Sequence, residues 1–363
     1  MKTLLLNPGP VTLTERVRAA LNGPDLCHRE PEFARLQTKI REQLLRVYDL
    51  DPARYAAIVL TGSGTAAMEA MVSTLGPARG RLLVVENGVY GERLGKIANV
   101  HGIASLSLSS KWGEAVDTAR LRATLDEHQD ISHLAVVHHE TTTGRLNAIE
   151  PIARLCSERR IELLIDAVSS FGAEAIAFDD WRVGACAATA NKCLHGVPGI
   201  SFVVARRDLV DDDDRPQRTL YLDLRTYLRE QDKGGTPFTQ SVQTLFALSA
   251  ALDEFFEQGG WRKRHDRYSA LAARVRDGLR SLGVRPLLEE GASSTVLNAY
   301  QLPAGISYSR LHDLLKADGF VIYSGQGEFA KSIFRISTMG DLTDTDIDRL
   351  LQSISTSIAE KHD

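Results

Sequence analysis

Three groups of residues in this 363-residue chain have surroundings that point to chemistry. The first is Lys192, in Ala190-Asn-Lys-Cys-Leu-His-Gly-Val-Pro-Gly199, set among small and apolar neighbours just after an apolar run. Such surroundings disfavour the ammonium form and make the amine a nucleophile. The plain alternative is a solvated charge. The second is Asp166, which ends the run Ile161-Glu-Leu-Leu-Ile165. Ligands of parallel sheets sit beyond the carboxyl ends of strands, so a carboxylate there meets a cationic part of a ligand. A helix N-cap or a salt bridge would also explain it. The third is the small-residue turn Thr61-Gly-Ser-Gly-Thr-Ala-Ala-Met-Glu69. At a strand-to-helix junction its backbone N–H groups suit a phosphate. It lacks the Lys-Ser/Thr of a nucleotide P-loop. It also fits G-x-G-x-x-A with Glu86 ending the next strand, so a dinucleotide site stays open, as does a purely structural turn.

Together the three match the needs of pyridoxal 5′-phosphate (PLP). That cofactor takes a lysine on its aldehyde, an acid on its pyridinium nitrogen and a cup for its phosphate. The acid keeps the ring nitrogen protonated, which makes the ring a better electron sink.

Positioning these groups requires a sheet. Apolar runs at 56–60, 82–85, 134–137, 162–165, 185–188 and 202–205 predict strands buried on both faces. Helical patterns lie between them, as at 65–75 and 149–159. This alternation predicts a mainly parallel sheet covered on both sides. After about residue 206 the pattern changes. The acidic run 211–214 reads as a solvated loop, 241–258 as a long helix that could link two domains, and 268–282 as another helix. Strands near 295–300 and 334–337, with helices at 309–318 and 343–359, predict a smaller α+β domain.

Composition is near the average of a soluble globular protein. The chain is 43% hydrophobic and 25% charged with a net charge of −4, unlike a disordered chain or a general nucleic-acid binder. Cys27, Cys156, Cys186 and Cys193 form no CxxC pair. His138 and His139 are adjacent on a strand and point to opposite faces, a poor start for a metal site. The run Trp261-Arg-Lys-Arg-His265 reads as a solvated helix start. No apolar stretch approaches a membrane span, and the apolar run at residues 4–6 is too short for a signal peptide. The expected location is the cytoplasm.

At this point the sequence resembles the class V, fold-type-I PLP aminotransferases over essentially its whole length, and most of all their 2-aminoethylphosphonate–pyruvate branch. The resemblance is carried by Pro8-Gly-Pro10, Gly62-Ser-Gly64, Asn87-Gly-Val-Tyr-Gly-Glu-Arg93, His139-Glu-Thr-Thr-Thr-Gly144, Asp166-Ala-Val-Ser-Ser-Phe-Gly172, Asn191-Lys-Cys-Leu-His-Gly-Val-Pro-Gly199 and Phe320-Val-Ile-Tyr-Ser-Gly325. It implies an α/β large domain with a mostly parallel seven-stranded sheet and a small C-terminal α+β domain. It places an N-terminal segment (1–15) over the active site, the large domain at 16–245 and the small one at 246–363.

The resemblance also implies roles. Lys192 would bind the cofactor aldehyde and Asp166 the pyridine nitrogen, with Asn191 beside the lysine. Ser63, Gly64 and Thr65 would hold the phosphate, Tyr90 would stack on the ring, and Thr141 would lie near the ring hydroxyl. Thr239 would reach the phosphate of a neighbouring subunit, which implies a homodimer with shared sites. Arg335 would grip the acidic group of the substrate, where a guanidinium suits carboxylate or phosphonate by its bidentate fork. Pro8, Gly9, His28 and Arg29 would line the substrate site. The small-molecule partners would be an amino donor and a 2-oxo acid, with no nucleic acid or membrane.

Some segments resemble another branch. Cys27-His-Arg-Glu-Pro-Glu-Phe33 is similar to the alanine- and serine–glyoxylate aminotransferases, and the segments 323–326 and 334–340 also depart from the phosphonate pattern. A glyoxylate-type aminotransferase is therefore the nearest alternative. A class V lyase or a non-catalytic dinucleotide-binding protein are more distant ones.

Overall fold

The structure, a computed structural model, describes residues 3–359. Its centre is a seven-stranded sheet built from Tyr55–Thr61 (β1), Arg81–Glu86 (β2), Ser105–Ser109 (β3), Ile131–Val137 (β4), Glu162–Asp166 (β5), Val183–Thr189 (β6) and Ile200–Arg206 (β7). The spatial order is β1-β7-β6-β5-β4-β2-β3. Only β7 runs antiparallel, against both β1 and β6. All other neighbours are parallel, so β1, β2, β4, β5 and β6 finish at the same edge.

Alternate residues of these strands feed two cores. In β1, Ala57 and Val59 face one layer while Ala56, Ile58 and Leu60 face the other. This is the period-2 geometry of a strand buried on both faces. Helices Pro31–Arg46 (α1) and Val242–Glu257 cover the first layer, through Phe33, Ile40 and Leu44 and through Leu245, Leu248 and Leu252. Helices Gly64–Leu75 (α2) and Val89–Val100 (α3) cover the second, with Met68, Met71, Leu94 and Ile97. The edge strand β3, Ser-Leu-Ser-Leu-Ser, was not expected, because its alternating polar face matches no apolar run. Glu86, the acid of the dinucleotide alternative, is taken up there. It accepts hydrogen bonds from Ser107 Oγ at 2.8 Å and Ser109 Oγ at 2.9 Å.

A smaller domain has its own core of Tyr300, Leu311, Leu315, Phe334, Ile336, Leu350 and Ile354. Its sheet joins Leu297–Gln301, Ile333–Ser337 and Tyr323–Ser324 in antiparallel order. The N-terminal segment belongs to it as well. Leu4–Leu5 pairs in parallel with Phe320–Val321, and Leu4 and Leu6 are buried in this core. The helix Val242–Glu257, which contains the expected boundary at 245/246, packs on the core of the large sheet. The basic run at 261–265 lies in the first turns of helix Gly260–Ser281, which begins earlier than the apolar pattern predicted. None of the described helices is long and apolar enough to cross a membrane.

Candidate active site

The common edge of the parallel strands opens into a cleft of about 410 Å³. Its wall includes Gly9, Ser63, Thr65, Tyr90, Asn191 and Lys192. Lys192 follows β6 by three residues, and Asn191 beside it accepts a hydrogen bond from Thr189 Oγ1 at 2.8 Å. Desolvation lowers the Lys192 pKa to about 8; Arg335 and Arg93 push the same way, while Cys193 and Asp166 oppose. Its Nζ donates to the Pro8 carbonyl. Gly9 meets the lysine stem so closely that a Cβ would lie 2.6 Å from Lys192 Cδ, and its φ of +107° favours glycine.

Asp166 ends β5 and is buried. Its Oδ1 accepts the Val168 N–H at 2.9 Å. Burial raises its pKa to about 7, and the Glu140 charge adds to this. The Val168 N–H, Arg93 and Lys192 oppose it. Helix α2 starts on the same edge, with Ser63 as N-cap making no side-chain cap bond. The first-turn amides of a helix have no intrahelical partner, so they point outward as donors. The helix start lies tight against the loop after Asp166, since a Cβ on Gly64 would come within 2.7 Å of Val168 Cγ1.

Tyr90 sits in the first turn of α3. The carboxylate that holds this helix start was not picked out from the sequence. Glu140, fully buried, accepts from the amides of Tyr90 at 3.1 Å and Gly91 at 3.3 Å through Oε2. Its Oε1 accepts from Thr142 N at 3.1 Å and Thr142 Oγ1 at 2.6 Å. It therefore caps α3 from a neighbouring segment, on the helix end that favours negative charge. A second unforeseen residue is Arg93, whose Nη1 donates to Thr65 Oγ1 at 3.1 Å. Its guanidinium carbon lies 4.6 Å from the centre of the Tyr90 ring. A usable signal was the spacing: Tyr90 and Arg93 are three apart and so share a helix face.

Arg335 comes from the small domain and is 1% exposed. Nε donates to the Ser324 carbonyl and Nη1 to the Thr141 carbonyl, both at 2.8 Å, while Nη2 is buried without a hydrogen-bond partner among the described residues. The fork expected to meet an acid whole is thus partly committed to backbone. Thr141 Oγ1 and His139 Nε2 are likewise buried without partners. Such orphaned atoms are costly unless a ligand satisfies them. His139 turns Nδ1 to the Ser169 carbonyl at 2.9 Å, and His138 turns Nδ1 to Ser170 Oγ at 3.1 Å.

Of the expected residues, Pro8, Thr141, Asp166 and Arg335 do not themselves line this cleft, nor do Thr239, His28 and Arg29. Thr239 is exposed, on the loop whose Gln240 accepts from Thr61 Oγ1 at 2.9 Å. His28 and Arg29 lie on the turn before α1, outside the cleft wall of their own chain.

The chain is similar to known proteins over nearly its whole length. The aminotransferase class-V model matches residues 19–350. A 2-aminoethylphosphonate–pyruvate transaminase of Aeromonas hydrophila is 38% identical, over 97% of this chain and 94% of its own length. One from Lactiplantibacillus plantarum is 35% identical, over 97% and 96%. Among solved structures, an alanine–glyoxylate aminotransferase from Nostoc sp. superposes with a TM-score of 0.92 at 26% identity, covering 99% of this chain and 96% of that one. With the family model matching most of its length and curated relatives above 30% identity, the chain belongs to the class V aminotransferases, enzymes of pyridoxal 5′-phosphate.

Proposed function

We propose that this chain is a transaminase that moves the amino group of 2-aminoethylphosphonate, or a close aminophosphonate, to pyruvate, with phosphonoacetaldehyde and L-alanine as products. The observation that carries the reading is Arg335, a buried guanidinium whose Nη2 has no hydrogen-bond partner among the described residues and is free to take an acid. The similarity to phosphonate transaminases over 97% of the chain supports phosphonate as that acid.

The orphaned atoms fit the cofactor. Thr141 Oγ1 would meet the ring hydroxyl, Asp166 the ring nitrogen, and the amides of Ser63, Gly64 and Thr65 the phosphate. When bound, PLP supplies an aldehyde carbon that captures amines and a ring that takes up the electron pair released at the carbon beside nitrogen. The protein residues do the rest. Lys192, with a pKa near neutrality, offers an uncharged Nζ as nucleophile and later as base for the proton on the donor carbon. Asp166 keeps a proton on the ring nitrogen. Tyr90 supplies a flat wall, and Arg335 orients the donor by its acidic end. Pro8 and Gly9 close over the lysine and keep water from its amine.

Thr239, His28 and Arg29 complete the site in this reading by serving a second copy of the chain, which makes the active unit a homodimer in the cytoplasm. The large domain then runs to about residue 258. The small domain comprises the residues after it together with the N-terminal strand.

The test is the visible absorption of the purified PLP-loaded protein, titrated with 2-aminoethylphosphonate, L-alanine and L-serine. Bleaching at low concentrations of the phosphonate is expected. Bleaching by α-amino acids alone would move the assignment to the glyoxylate-type enzymes, which the segment 27–33 resembles.

A further inference from the structure

Arg93 is a cation on the cleft wall with no carboxylate at ion-pair distance among the described residues. Its contacts among the described residues are the Thr65 hydroxyl at 3.1 Å and the face of the Tyr90 ring. No carboxylate pairs with it there. Surface arginines elsewhere in the chain are commonly paired, as Arg81 is with Asp130 at 2.6 Å. A guanidinium left unpaired beside a helix start is a place for a strong anion.

The charge balance of the cleft points the same way. A phosphate monoester carries about −1.5 to −2 charges at neutral pH. The start of helix α2 offsets only about half a charge. Ser63 and Thr65 contribute hydroxyls, which are neutral. Among the described residues of this chain, the cations on the cleft wall are Lys192 and Arg93. Lys192 is committed to the aldehyde, so Arg93 remains.

We infer that Arg93 is the counter-ion of the cofactor phosphate, held at the cup by Thr65 Oγ1 and by the face of Tyr90. This rests on the PLP reading of the site. One residue thereby joins the phosphate to the stacking wall: neutralising the phosphate also holds Tyr90 in place. Arg93 also lies close enough for its charge to be felt at both Lys192 and Asp166.

The experiment compares PLP with pyridoxal, which lacks the phosphate. Dissociation constants for both are measured by absorbance on apo-protein, for wild type, Arg93→Gln and Arg93→Lys. Far-UV dichroism and melting of the apo-proteins verify folding. Arg93→Gln is expected to weaken PLP by about 10- to 100-fold, the worth of a charge-assisted bond, and pyridoxal by less than about threefold. Arg93→Lys keeps the charge and recovers most of the preference for PLP, which also carries the test if the glutamine variant fails to fold. Equal weakening of both ligands would overturn the inference and leave Arg93 as a support for Tyr90 only. Unchanged affinity for both would overturn it outright. If wild type shows no Lys192-dependent absorbance with PLP, the PLP reading itself has failed, a result distinct from either.

Discussion

Two buried regions flank the lysine loop and use the same residue types to different ends. At the rear, Arg264 spends Nη1 on the Cys193 carbonyl at 2.6 Å and Nη2 on Gln258 Oε1 at 2.7 Å. Glu174, equally buried, accepts from Ser294 Oγ, Thr295 N and Thr295 Oγ1 at 2.8 to 2.9 Å and has His265 Nδ1 at 3.3 Å. At the front, Arg335 has an idle nitrogen and Asp166 has one amide donor. Both regions are shielded from water, so burial does not separate them. Hydrogen-bond completion does. The rear charges are held by the protein's own groups, whereas the idle nitrogen of Arg335 is left for a ligand in the proposed reading.

The contrast can be broken most severely at the lysine. Lys192→Ala is expected to cut transamination by about ten-thousandfold or more, measured by alanine formation, because nucleophile and base are lost together. Substantial turnover by that variant would end the front-region reading.

The two arginines should then fail in different currencies. Arg335→Ala is expected to raise KM for the amino donor about 10- to 100-fold, beyond the stability it loses by freeing the Ser324 and Thr141 carbonyls. Arg264→Ala should cost about 3 kcal/mol in denaturant unfolding, through lost bonds to the lysine loop. If both variants lose stability alike and KM does not move, the front arginine is structural too.

The two acids should show opposite slopes with pH. Burial pushes Glu174 up, but the bonds from His265, Ser294 and the Thr295 amide outweigh it and hold its pKa at about 2. A depressed carboxylate adds stability above its unfolded pKa and loses it as pH falls through the folded one, so about 3 kcal/mol should disappear between about pH 4.5 and 2. Glu174→Gln should remove that component. Asp166, raised to about 7 by burial, acts the other way. The folded apo-protein holds a proton there that the unfolded chain has lost, so stability falls as pH rises from about 4 to 7. Asp166→Asn should flatten this slope, and chemical denaturation of apo-protein across the range would read both. Parallel slopes would contradict the contrast.

The smallest expected effect concerns rate. Capture of PLP by apo-protein should accelerate with pH up to about 8, as Lys192 sheds its proton, and then level off. A rise continuing to the ordinary lysine range would mean the amine is solvated.

Much of this was legible from the chain alone, for a physical reason. Strands buried on both faces must be apolar throughout, so β1, β2, β4, β5, β6 and β7 stand out, and Asp166 and Lys192 stand out against them. The strand β3 does not, because three of its five residues are exposed serines. Glu140 and Arg93 escaped for another reason: their meaning lies in partners distant in sequence, Tyr90 for the first and Thr65 for the second. The partial commitment of Arg335 was equally invisible, since backbone carbonyls carry no sequence signature.

The N-terminal strand ties these regions together mechanically. Leu4 and Leu6 are anchored in the core of the small domain, and within a few residues the same strand delivers the Pro8 carbonyl to Lys192. The reacting amine stands on the large domain but takes part of its alignment from the other one. A cavity cut at Leu6, in the core of the small domain, would therefore register as a misplaced carbonyl at the lysine, much as a loosened guy-rope shows at the top of the mast.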